Sequence, residues 1–222
     1  MGGSVFEVCK LVVVFLVVVA LCATSPAHAG EVVTPSVGPI RPLVIAHRGA
    51  SGVAPENTMA CFEQAVKFGV DMIELDVHGS KDGNLIVIHD PSTVRTARGN
   101  PQGAVADLTL GELKKLDAGV WKGPGFAGER IPTLDEVLAA LRGRATLLIE
   151  LKARGIEGKV AQAIRESGME DGVMLQSFDV ESVRIMQGLL PETPAGVLYR
   201  DMWILDPVGR GRRIVEQIGR AH

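Results

Sequence analysis

Six short apolar runs, separated by stretches with a helical period, constrain this chain more than any other feature. They occupy residues 43–46, 72–77, 85–89, 146–152, 173–178 and 196–199, each flanked by turn-forming residues. Runs this short and this apolar read as strands buried on both faces, the pattern of a parallel sheet. The segments between them carry helix punctuation. Asn57 stands where a cap would open a helix with Met59, Phe62 and Val66 on one face and Gly69 at its end. Thr109 with Glu112, and Thr133 with Glu136, have the spacing of capping boxes. The second box precedes Val137, Leu138 and Leu141 and is closed by Gly143. Residues 158–167 and 180–190 read as two further helices. This alternation predicts an α/β fold, as a closed barrel or an open doubly wound sheet. Two places depart from it. Residues 78–84 are too few to hold a crossover helix between the second and third runs. Residues 91–132 hold one clear helix in a stretch long enough to be a lid or a small insertion.

The start of the chain belongs to a different physical class. Residues 11–23 are almost unbroken apolar, short of the ~20 residues that cross a bilayer but suited to the apolar region of a signal peptide. Ala27-His28-Ala29 supplies a small-x-small cleavage pattern. The reading is a signal peptide over 1–29, a linker over 30–42, and a periplasmic or secreted protein with no stable membrane span after cleavage. An uncleaved anchor is the alternative. Removing 29 of 222 residues leaves 193, enough for one substantial core and short for two domains. Of three cysteines only Cys61 then remains, so no internal disulfide forms. A net charge of −3 gives no basic surface that argues for nucleic acid.

The chemistry gathers where the runs end. The first delivers His47 and Arg48, the second Glu74 and Asp76, the third His89 and Asp90, the fourth Glu150 and Lys152. Glu74 and Asp76 are two apart, so a strand turns both to one face while Ile73, Leu75 and Val77 take the other. Adjacent carboxylates repel unless a cation or a proton intervenes, and oxygen ligands of this kind suit Mg²⁺ or Ca²⁺. Arg48 offers permanently charged planar donors that match phosphate oxygens. Each feature has an ordinary explanation by itself: a satisfied core histidine, the exposed face of a strand, an ion pair at a strand end. Four consecutive runs that all place ionisable groups at the ligand-binding end of an α/β sheet point instead to one site.

In chain order, His47-Arg48-Gly49, Pro55-Glu56-Asn57-Thr58, Glu74-Leu75-Asp76-Val77, Lys81-Asp82-Gly83, His89-Asp90, Glu150-Leu151-Lys152 and Ser177-Phe178-Asp179 resemble the signature of the glycerophosphodiester phosphodiesterases. The match runs from about residue 43 to 200. The resemblance implies a TIM-type (β/α)8 barrel with a small insertion after the third strand, corresponding to 91–132. It implies His47 and His89 as an acid–base pair. It also implies Glu74, Asp76 and Glu150 as ligands of one divalent cation, Ca²⁺ or Mg²⁺, with Arg48 and Lys152 near the phosphate. The implied substrate is a small glycerophosphodiester, hydrolysed to glycerol 3-phosphate and an alcohol. Histidine suits both proton transfers because its unperturbed pKa is ~6.5.

The pattern departs near the end. The family's late Trp-Thr-x-Asn and Asp-Gly-x-x-Thr-Asp segments are missing, and Gly209-Arg210-Gly211-Arg212-Arg213 stands in their place. The expectation is therefore a barrel domain over 43–222, truncated after the sixth strand. Two alternatives follow: a catalytically silent fragment that at most binds metal or phosphate, and a lysophospholipase D-like phosphodiesterase. Among other residues, Glu56 reads as support for the loop and cap, His78 as loop surface, and Trp121, Lys122 and Phe126 as groups placed to cover substrate.

Overall fold

The computed structural model describes residues 42–199; the expected signal segment, nearly all of the linker and the terminal stretch 206–222 lie outside the described residues. Its centre is one sheet made of β1 (Ile45–Ala46), β2 (Met72–Gly79), β3 (Leu85–Val87), β4 (Thr146–Leu151), β5 (Val173–Ser177) and β6 (Ala195–Val197). Along the sheet the order is β1-β2-β4-β5-β6, with every neighbouring pair parallel. That order never reverses. A doubly wound sheet has a switch point where it does, so the winding is that of a TIM-type barrel.

β3 lies off this path and corrects the sequence reading of a sixth parallel strand. It pairs antiparallel with the end of β2, Val77 opposite Val87 and Gly79 opposite Leu85. The connector explains it: a few residues can turn a hairpin but cannot carry a chain back across a sheet.

Five helices, α1 (Met59–Phe68), α2 (Leu110–Leu113), α3 (Leu134–Leu141), α4 (Glu157–Ser167) and α5 (Val180–Leu189), accompany the strands. Both predicted capping boxes form, Thr109 with Glu112 on α2 and Thr133 with Glu136 on α3. The cap of α1 needs correction. It is Thr58, whose hydroxyl accepts from the Cys61 amide, while Asn57 sits at φ 55° in the left-handed region. Gly69 closes α1 as expected.

Alternation along the strands sorts the interior. Ile73, Leu75 and Val77 of β2 and Leu147, Ile149 and Leu151 of β4 pack with Phe62, Leu138 and Ile164 of the helices into one large apolar cluster. Glu74, Asp76 and His78, with Glu150 on β4, take the other face and are nevertheless buried. A second, smaller cluster holds the insertion together, with Val105, Leu113, Leu116 and Ile131 at its centre. β3 joins the two: Leu85 and Val87 belong to the large cluster, Ile86 and the following Ile88 to the small one. Among the described residues no helix is long and apolar enough to cross a membrane.

Candidate active site

Parallel register brings the carboxylates together. β2 and β4 pair with Asp76 opposite Glu150, and Glu74 lies two residues earlier on the same face of β2. One oxygen from each of Glu74, Asp76 and Glu150 lies within 4.8 Å of the others, and all three residues are buried. Such crowding away from water disfavours ionisation. Burial, reinforced by the charge of Asp76, holds the Glu74 carboxyl well above the usual range. Burial also raises Glu150, against the opposing hydrogen bond from Lys152.

The protein's own donors satisfy this cluster only in part. Lys152 Nζ donates to Glu150 Oε1 at 2.9 Å and lies 3.5 Å from Asp76 Oδ1. The Arg48 amide donates to Glu74 Oε2 at 2.7 Å, and Asn57 Nδ2 to Asp76 Oδ2 at 2.8 Å. Glu74 Oε1 and Asp76 Oδ1 are buried without a hydrogen-bond donor. Unsatisfied anionic oxygens are costly in a low-dielectric interior. An all-oxygen set of three carboxylates, two with an oxygen that accepts no hydrogen bond, fits a hard divalent cation.

His47 follows β1 directly. Its side chain is half exposed, and Nε2 lies 3.9 Å from Glu74 Oε2. Burial and the adjacent Arg48 charge lower its pKa, which favours the neutral imidazole. The loop is tightly shaped: Arg48 has φ 58° and Gly49 φ 79°, and a Cβ on Gly49 would meet Cys61 Sγ at 2.8 Å. A non-glycine residue held at positive φ, as Arg48 is, stores local strain of the kind that collects at functional sites.

His89 follows β3, and its Nδ1 lies 2.7 Å from Asp90 Oδ1. With the proton assigned to Nδ1, Nε2 remains available. His78 requires correction, because it is not loop surface. It is buried at the end of β2, on the face shared by Glu74 and Asp76, with Nε2 3.1 Å from the His89 carbonyl oxygen. Burial lowers its pKa.

Glu56 stands outside the carboxylate cluster, in keeping with its reading as loop support. Its Oε1 accepts from Arg48 Nη1 at 3.0 Å and from Arg95 Nη2 at 2.7 Å. Burial opposes ionisation there, yet the hydrogen bond from Arg95 and the charge of Arg48 hold Glu56 below its ordinary pKa. Lys122 Nζ donates to the Ser51 carbonyl at 2.7 Å and lies 5.9 Å from the centre of the Trp121 ring. That contact ties the insertion to the loop carrying His47. The structure thus gathers His47, Arg48, Lys152 and the carboxylates Glu74, Asp76 and Glu150 together. His89 is linked to Arg48 through Asp90, Arg95 and Glu56. Sequence reasoning missed the Asn57 clamp on Asp76, the place of His78, and Arg95.

Residues 47–207 match the sequence profile of the glycerophosphoryl diester phosphodiesterase family. Among similar curated proteins is a glycerophosphodiester phosphodiesterase of Caldanaerobacter subterraneus, 47% identical over 167 residues that cover 72% of this chain and 68% of that one. A solved glycerophosphodiester phosphodiesterase from Agrobacterium tumefaciens superposes with a TM-score of 0.64 at 42% identity, covering 68% of this chain and 64% of the other. A phosphodiesterase from Oleispira antarctica, solved in complex with its product sn-glycerol-3-phosphate, gives 0.66 at 33% identity, with coverages of 79% and 71%. The chain therefore spans about two thirds of the length of the relatives it matches.

Proposed function

The chain belongs to the glycerophosphoryl diester phosphodiesterase family, and from that membership we propose that it hydrolyses small glycerophosphodiesters to glycerol 3-phosphate and an alcohol, using a divalent cation and the pair His47 and His89. The observation that carries this reading is the incomplete satisfaction of the buried carboxylates. Glu74 Oε1 and Asp76 Oδ1 lack donors beside Glu150, and His47 Nε2 lies 3.9 Å from Glu74.

Glu74, Asp76 and Glu150 would hold Mg²⁺ or Ca²⁺. The bound cation would supply positive charge and Lewis acidity to a phosphoryl oxygen. Arg48 and Lys152 add fixed positive charge beside an anionic substrate. One of the two imidazoles accepts a proton as the oxygen of water, or of a glycerol hydroxyl, bonds to phosphorus, and the other donates a proton to the alcohol oxygen as its P–O bond breaks. A cyclic phosphate formed by the glycerol hydroxyl is then opened by water to glycerol 3-phosphate. The apolar run at 11–23 and the Ala27-His28-Ala29 site support export as the setting for this activity.

The test is release of glycerol 3-phosphate from glycerophosphocholine by the full chain. Release that stops with EDTA and returns with added Mg²⁺ or Ca²⁺ supports the reading. A folded sample with no release under any cation condition refutes it and favours a silent relative.

A further inference from the structure

We propose that Arg95, in the insertion, is a positioning residue that sets the orientation of both His89 and Arg48. This rests on the catalytic reading of His89 given above. Arg95 comes into play because its guanidinium serves two carboxylates at once, one on each edge. On one edge Nε donates to Asp90 Oδ2 at 2.7 Å and Nη2 to Asp90 Oδ1 at 3.0 Å. On the other, Nη2 donates to Glu56 Oε1 at 2.7 Å and Nη1 to Glu56 Oε2 at 2.9 Å.

Each carboxylate then reaches one group at the mouth. Asp90 Oδ1 meets His89 Nδ1 at 2.7 Å, and Glu56 Oε1 meets Arg48 Nη1 at 3.0 Å. His89, Asp90, Arg95, Glu56 and Arg48 therefore form one unbroken chain of hydrogen bonds. An exposed ion pair with a single contact would fix little, because two flexible side chains seldom hold one geometry. Two bidentate forks on one planar cation are different: they fix angle as well as distance. A lysine at this position has neither the plane nor the donors to hold both.

The consequence for His89 is a choice of tautomer. Asp90 held at Nδ1 keeps the proton on that nitrogen and leaves Nε2 to exchange a proton with substrate. Asp90 carries its charge throughout: the Arg95 hydrogen bond, with that of His89, keeps its carboxyl far below the usual carboxylate range. Without Arg95, Asp90 and Glu56 face each other as like charges and turn away, and His89 and Arg48 lose their anchors together.

The experiment is ¹⁵N NMR of the histidine side chains in the full chain, with the His89 signals identified by their loss in His89→Gln. The wild type should show His89 as the Nδ1–H tautomer alone. Arg95→Met should give a mixture of tautomers, and Arg95→Lys, kept in reserve should the first variant fold poorly, should do the same. On glycerophosphocholine, kcat of Arg95→Met should fall on the order of 10- to 100-fold, the usual cost of removing a partner that orients a functional side chain.

Arg98→Met is the control, since Arg98 Nη1 donates to the backbone carbonyls of Val94, Arg95 and Ala97 within the same insertion. It should lower the melting temperature and leave the His89 tautomer unchanged. An unaltered tautomer in the Arg95 variants overturns the proposal, as does an equal change in Arg98→Met. If His89→Gln kept full kcat, the catalytic reading would fall while the tautomer comparison still decided the role of Arg95.

Discussion

The two halves of the mouth are satisfied to different degrees. On the barrel side, β2 and β4 bury three carboxylates, and two of their oxygens have no donor. On the side facing the insertion, Asp90 and Glu56 are carboxylates too, yet with the Arg95 cation between them every one of their oxygens accepts a hydrogen bond. The first arrangement leaves two oxygens unsatisfied; the second is complete in itself. Rigid strands can hold a repulsive cluster because the large apolar core on their other face fixes them. A loop cannot, so its charges have to balance locally.

The largest expected effect separates chemistry from cation binding. His47→Ala and His89→Ala should each lower glycerol 3-phosphate release by ~10²–10⁴-fold, the range for losing a general acid or base. Both should keep the rise in melting temperature caused by added cation. Loss of that rise in either variant would put the histidine among the cation's supports instead.

Next in size is the insertion's own core. Leu116 is fully buried in the small cluster, so Leu116→Ala should cost ~2–5 kcal/mol. The comparison predicts where that loss falls. Hydrogen exchange should quicken first at amides of 91–132, with β2 and β4 still protected, and activity should fall as His89 loses its support.

The pH dependence of stability probes the barrel side. Glu74 and Glu150 have folded-state pKa values raised above the ordinary carboxylate value. At these two positions the folded protein binds more protons than the unfolded chain, opposing the lowered His47 and His78. The cation-free stability that Glu74 and Glu150 contribute should fall as pH climbs from the ordinary Glu range through those raised values. Glu74→Gln should flatten this slope and raise the cation-free melting temperature at neutral pH, by about 2–4 °C for each kcal/mol gained. Melting curves across pH, with EDTA and with cation, measure both.

The smallest effect concerns Cys61, beneath the loop carrying His47. Burial pushes its thiol up to about 12, so a thiol reagent at pH 8 should react only as fast as this region opens. Rapid labelling of Cys61 itself in the native protein would show a loosely held loop and contradict the close packing of Gly49 on Cys61.

The sequence announced this site through period two. Glu74 and Asp76 share a face because strands alternate, and Asp76 meets Glu150 because both end runs of similar length. The same alternation carried one step past Val77 places His78 with them; reading the strand as ended at Val77 hid it. Asn57 was a different matter. Asn ranks above Thr as a helix cap, and at α1 that preference is overridden by Asp76 of β2, which claims the Asn57 side chain. Arg95 was hard to read because, although Asp90 is 5 residues away, its other partner Glu56 is 39 residues away, and neither lies in a stretch with a regular period. The hairpin at β3 was legible in the short connector, whose length excluded the crossover that a parallel strand requires.

The account stands most directly on calorimetric titration of Mg²⁺ or Ca²⁺ into the EDTA-treated, dialysed full chain. It predicts one cation per chain, protons released on binding as the raised carboxyls ionise, and no binding in a Glu74→Gln, Asp76→Asn double variant. Binding that survives unchanged in that variant, or a folded wild type that binds no cation, would contradict it.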